Sequence, residues 1–139
     1  MTFKNSKGLI ALLYLAIAFF PLISLASGYL AYSEHMAGEN ENIFMLCVGF
    51  VFFGFLSPFG FKLWKFVSLE YTLTDECIEI SNGKSKEVYA WVPEMKVKDS
   101  SFLQLFWLYS VDKRAIALVD HMMPGYEEFS TFIKSKVQA

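Results

Sequence analysis

Charge is what this chain lacks most visibly, over two long stretches. Residues 9–32 and 43–61 contain no Asp, Glu, Lys or Arg. Runs that long and that uncharged exclude the usual amphipathic helix of a soluble domain, which keeps a polar face. Cysteine and histidine are scarce too: Cys47 and Cys77, His35 and His121 are all there are. Two cysteines, one in an apolar run and one in a polar strand-like stretch, exclude a disulfide framework and fit a reducing compartment. No Gly-rich phosphate loop, CxxC, HExxH or GxSxG spacing occurs. No motif therefore carries catalysis, and no cofactor or metal is expected. Nor does any segment hold the basic excess that nucleic-acid binding demands. The chain nets −2, and residues 62–139 set ten bases against eleven acids.

What is present begins with two apolar spans. "GLIALLYLAIAFFPLISLASGYLAY" (8–32) would rise roughly 37 Å as a helix, against a bilayer core of ~30 Å. Pro21 near its middle should kink it, which membrane helices tolerate. "IFMLCVGFVFFGFLSPFGF" (43–61) is close to the minimum that spans and holds seven of the fifteen phenylalanines. Ser24/Gly28 and Ser27/Ala31 are small-xxx-small pairs that let a neighbouring backbone approach. Packing within the hairpin is their plainer use, and a homodimer face the alternative. Neither span carries a charge, which argues against a transporter or channel.

Lys4 and Lys7 precede the first span, Lys62 and Lys65 follow the second, and the connector "SEHMAGENEN" is acidic without a base. Positive residues stay inside, so both termini should be cytoplasmic and the connector outside. Tyr29, Tyr32 and Trp64 read as interface anchors. A secretory signal is the rival reading, with Ser24 and Ala26 suiting a cleavage site. The apolar stretch before Ala26 is about 17 residues, longer than the usual ~7–15, and apolar residues continue to Tyr32.

From Glu70 the pattern becomes strand-like. "EYTLTDECIEIS" alternates at Tyr71, Leu73, Ile78 and Ile80, turning at Asp75-Glu76. Asn82-Gly83 is a strong hairpin signal, with "KEVYAW" returning. Pro93 marks "VPEMKVKD" as a broken or edge strand. "FLQLFWLYSV" and "AIALVD" read as a hairpin turning through Asp112-Lys113-Arg114. In "MPGYEEFSTFIKSKVQA", Tyr126, Phe129, Phe132, Ile133 and Val137 share one helical face. Glu127 and Glu128 in the first turn and Lys134 and Lys136 near the end suit the helix dipole. Four to five antiparallel strands capped by one helix are expected.

The order of two spans, then "YTLTDECIEI", "NGKSKEVYAW", "EMKVKDSSFLQLF", "AIALVD" and "PGYEEFSTFIK", resembles the YcxB-like bacterial membrane proteins. The similar positions are Thr74-Asp75, Trp91, and Pro124 leading into Phe129. Pro93 departs from the pattern, where such proteins more usually carry a polar residue and an isoleucine. The resemblance implies an inner-membrane hairpin and a small PH-like domain, and no defined activity.

The expected fold class is thus an α+β membrane protein. Residues 1–66 form a transmembrane hairpin, with spans at about 8–32 and 43–63. Residues 67–139 form a cytoplasmic PH-like domain: a small antiparallel β-sheet capped by a C-terminal helix. The expected role is non-catalytic binding of an unidentified protein partner at the bilayer, an immunity-type inhibitor being one variant. A sensor of acidic lipid headgroups is the alternative. Phe106, Trp107 and Tyr109 are the candidate membrane or partner contacts, and Lys96 and Lys98 the candidate headgroup contacts. His35 reads as part of a solvated acidic loop, His121 as a turn residue beside Asp120, and Cys77 as a small core hydrophobe.

Overall fold

The computed structural model describes residues 1–137. The chain divides into two compact units: Ala11–Trp64, and Met1–Ile10 together with the chain from Lys65 on. The first is a pair of helices, α1 (Lys7–Ala37) and α2 (Ile43–Trp64), both long and apolar enough to cross a membrane. Ser6 caps α1: its hydroxyl accepts the Leu9 N–H at 3.2 Å and its carbonyl the Ile10 N–H at 2.9 Å. Pro21 and Pro58 lie inside continuous helices. α1 runs five residues past the apolar stretch and stops at a Schellman turn. Gly38 takes φ +76°, its N–H bonds the His35 carbonyl, and the Glu39 N–H bonds that of Glu34. Half of the expected ten-residue connector is therefore helix, and His35 sits in the last turn of α1.

The small residues join the two helices to each other. Ser24 Oγ donates to the Phe50 carbonyl at 2.8 Å. A Cβ on Gly28 would lie 2.7 Å from the Phe50 ring, and one on Gly49 or Gly54 would meet Ser27 Oγ or Ser24 Oγ at 3.1 Å. Close approach within the hairpin thus occupies both Ser24 and Gly28.

The second unit holds seven strands in two antiparallel sheets, not one sheet of four to five. The first sheet runs β1 (Thr2–Lys4), β2 (Glu70–Leu73), β3 (Cys77–Ser81), β4 (Lys86–Ala90) in that order. The second runs β5 (Lys96–Ser100), β6 (Leu105–Tyr109), β7 (Ala115–Asp120), followed by α3 (Tyr126–Val137). The unexpected strand is β1. Its register sets Thr2 against Thr72, Phe3 against Tyr71 and Lys4 against Glu70. Residues 5–69, both apolar helices included, are thus inserted between two neighbouring paired strands. The expected boundary at residue 66 misassigns the first ten residues, which belong with the sheets. Asn5 ties the two ends of the insertion together, donating from Nδ2 to the Val67 carbonyl at 2.8 Å.

One core joins both sheets and α3. Tyr71, Leu73, Ile78 and Ile80 from the first sheet meet Phe106, Leu108, Ala117 and Val119 from the second. Phe129 and Ile133 of α3 close it, as the helical spacing predicts. Phe3 is 6% exposed and meets Phe129 edge-on at 5.4 Å. The Tyr71 hydroxyl reaches the Leu118 carbonyl at 3.4 Å, and burial raises its pKa. The Asn82-Gly83 turn forms as predicted: Asn82 Oδ1 accepts the Lys84 and Ser85 N–H groups at 2.9 and 2.8 Å. Val92-Pro93-Glu94 is a turn outside the ladder, with the Met95 N–H on the Val92 carbonyl at 3.2 Å. Proline costs nothing there.

Candidate functional site

β6 is the central strand of its sheet, and this fixes the fate of the aromatic candidates. Phe106 is 0% exposed, packed edge-on against Phe129 at 5.8 Å. Trp107 points to the opposite face and is 8% exposed. Neither is free to touch a bilayer or a partner, and that expectation is corrected. Tyr109, at the end of the strand, is half-buried. Lys96 and Lys98 share the Trp107 face, opposite Tyr109 and Trp107 in register. The Lys98 ammonium lies 5.5 Å from the Trp107 ring centroid, a contact of ~0.5–1 kcal/mol at an exposed site. Lys98 is therefore partly engaged before any headgroup arrives. Cys77 is also corrected: it is half-buried on the outer side of β3, with Sγ 3.2 Å from the Thr74 hydroxyl.

The polar centre of the unit is Asp99, on the core-facing side of edge strand β5, opposite Phe106. Its Oδ1 meets His121 Nε2 at 2.9 Å and accepts the Tyr126 hydroxyl at 3.0 Å. Its Oδ2 accepts Lys134 at 2.7 Å. His121 and Tyr126 stack with centroids 4.3 Å apart. Burial pulls the Asp99 carboxyl upward, but hydrogen bonds from Lys134, Tyr126 and His121 outweigh it and hold it below the usual carboxylate range. Burial, then the bond to Asp99 and its charge, push Tyr126 up to about 12. Ser130, one turn further along α3, also lies beside the Tyr126 hydroxyl, and its own hydroxyl donates to the Glu127 carbonyl at 3.2 Å. The effect of the cluster is to fasten β5, the β7–α3 turn and α3 together. Asp120, the sequence neighbour of His121, instead accepts the Met122 N–H at 2.7 Å.

A second tie reaches the far end of α3. Lys136 donates to Asp75 at 2.9 Å and lowers its carboxyl through that bond and its charge. Trp91 donates from Nε1 to the Thr74 carbonyl at 2.9 Å and packs on Phe132 at 6.3 Å. Thr74, Asp75 and Trp91, singled out in the sequence, thus meet at one corner.

The exposed apolar surface lies elsewhere in the aromatic stretch. β6 begins only at Leu105, and Phe102 and Leu103 sit in the preceding turn, where Gln104 takes φ +54°. Phe102 is 94% exposed, Leu103 44%, and Met122 in the β7–α3 turn 68%. The two turns are joined by the His121 N–H on the Gln104 carbonyl at 2.9 Å. Phe102 and Leu103 are hard to tell from the strand in sequence because only Gln104 interrupts the apolar run from Phe102 to Leu108, and Met122 stands alone in its turn. The only early signal was Ser100-Ser101 before Phe102, which starts a turn through Ser100 Oγ and the Leu103 N–H. Comparison of the chain with protein-family models, with curated proteins and with solved structures found no match.

Proposed function

We propose that this chain is a membrane-anchored cytoplasmic interaction module, in which α1 and α2 span the bilayer and the two-sheet, PH-like unit binds a protein partner. The observation that carries this reading is the pairing of β1 with β2. Strands on either side of the insertion hydrogen-bond in one sheet, so both ends of the hairpin lie on one side of any membrane it enters. The charge pattern then selects the cytoplasmic side. Apolar side chains exposed along both helices, such as Phe55 at 82%, find their solvent in hydrocarbon. The same pairing disfavours cleavage after Ala26, which would strip β1 and Phe3 from the core. A green fluorescent reporter fused after residue 139 should fluoresce, and a periplasmic phosphatase inserted at residues 39–41 should be active. Phosphatase activity from a fusion after residue 139 would overturn the reading. An immunity-type inhibitor, holding a membrane-active toxin, is the specific variant that fits a partner met at the bilayer.

One observation favours headgroup sensing as a second reading. In register, Lys4, Glu70, Ser81 and Lys86 form the end row of the first sheet. The β3–β4 turn, with Lys84, projects beyond it, at the end where the chain leaves for the hairpin. Lys4 and Lys86 are drawn to Glu70 and Glu79, at 3.7 and 2.5 Å, which leaves Lys84 the freest of them. A dye on Ser85→Cys, quenched more by headgroup-labelled vesicles containing phosphatidylglycerol than by pure phosphatidylcholine, and less at high salt, would support it. Equal quenching in both would sink it.

A further inference from the structure

We infer that the paired turns at residues 101–104 and 121–125, with the acidic first turn of α3, dock a basic amphipathic segment of a partner protein. This rests on the interaction-module reading and gives its partner a chemistry. Leu105 lies opposite Asp120, so both turns leave the same end of the second sheet. Phe102, Leu103 and Met122 are exposed there together. Loop tips are ordinarily polar, and a convergent apolar group on two joined turns marks a contact surface.

The charge beside it is negative. A cleft of about 540 Å3 opens between His121, Met123, Gly125, Tyr126, Glu127 and Glu128. The two basic groups on this corner, His121 and Lys134, are both bonded to Asp99. Asp120 caps the Met122 N–H. Glu127 and Glu128 are exposed and have no ion-pair partner among the described residues. The uncompensated charge is thus two carboxylates beside an apolar tip. An anionic lipid surface is repelled by that rim. A helix or extended segment with apolar residues on one face and Lys or Arg on the other matches both parts: apolar groups against Phe102 and Met122, cations over Glu127 and Glu128.

The test uses the full chain in phosphatidylcholine nanodiscs, with empty discs as the blank. The probes are a fluorescein-labelled Leu/Lys amphipathic peptide and its Leu/Glu counterpart. The Leu/Lys peptide should bind above the blank, more weakly as salt rises. The Phe102→Ser, Met122→Ser double variant should weaken binding about tenfold, as loss of an apolar anchor does. The Glu127→Gln, Glu128→Gln pair should weaken it about fivefold and flatten the salt dependence. Phe102→Leu should retain binding. Equal binding of the Leu/Glu peptide, no binding above the blank, or indifference to both double variants would overturn the proposal. So would self-association of the chain that Phe102→Ser abolishes, which would give the surface to a second copy. A reporter result placing residue 139 outside the cytoplasm would remove the anchored-module reading without touching the peptide result.

Discussion

Asp99 concentrates more of this fold in one side chain than any other charged residue. It takes up Lys134, Tyr126 and His121 together, and each comes from α3 or from the turn that leads into it. Replacing it by Asn keeps the shape and removes the charge, which should cost about 1–2 kcal/mol for a partly exposed charged hydrogen-bond set. Its pH signature separates this from general loosening. The folded carboxyl titrates below its unfolded value of about 3.9, so on acidification the unfolded chain takes up the proton first. The stabilisation is complete above about pH 5 and fades as pH falls through 4 and below. Urea unfolding in detergent should therefore show a wider gap between Asp99→Asn and the parent at pH 6 than at pH 3. A constant gap at both pH values would mean that the carboxylate charge is not what holds α3. Gly125 makes a second residue-scale case. Its φ is +78°, and a Cβ there would lie 2.9 Å from the Phe3 ring. Gly125→Ala should lose at least about 1–2 kcal/mol from backbone strain alone. In a double-mutant cycle with Phe3→Leu the two losses should be non-additive, because the ring is what the new methyl strikes.

At the scale of elements, legibility followed period and length. The alternation of β2 and β3, the Asn82-Gly83 and Asp112–Arg114 turns and the apolar face of α3 were all readable, because each has one buried and one open side. β6 was not: with Phe106 and Trp107 buried on opposite faces, alternation vanishes and the turn at Phe102–Gln104 merges into the run. Asp99 gave no signal, since its three partners lie 22 to 35 residues on. β1 was the largest omission. Three residues contain no period, and "TFK" became flanking charge; what specifies it is a partner strand nearly seventy residues away. That pairing makes a sharp prediction. Thr2 and Thr72 are antiparallel register partners whose hydroxyl oxygens lie 3.3 Å apart, and direct partners of this kind hold their Cα atoms about 4.5–5.5 Å apart, within disulfide range. In a Cys47→Ser, Cys77→Ser background, Thr2→Cys with Thr72→Cys should cross-link under mild oxidant and shift gel mobility. Thr2→Cys with Glu76→Cys should not. Failure of the first pair, or equal yields, would remove β1 from the sheet.

At the scale of the whole molecule, the apolar hairpin is an insertion in a β-hairpin, and this makes it separable. Lys4 and Glu70 are direct register partners, so a two-residue Asn-Gly turn can join them in place of residues 5–69. The shortened chain would keep every residue of the buried core cluster and lose only Leu69 from its margin. It also loses Leu9 and Val67, which are buried outside that cluster. Closing two residues instead of sixty-five lowers the loop-closure cost by up to about 3 kcal/mol, less if the hairpin is already ordered. If the two-sheet unit draws its stability from its own core, the shortened chain should be soluble without detergent, unfold cooperatively, and show near-ultraviolet dichroism from Tyr71, which is buried within the core cluster. Its Thr2→Cys, Thr72→Cys form should still cross-link. An insoluble product, or one with strand signal but no cooperative transition, would show that the apolar helices are part of the fold as well as its tether. The peptide-docking end, carried wholly by residues 101–128, should keep its Leu/Lys affinity within about twofold, because additivity holds for sites that share no partners.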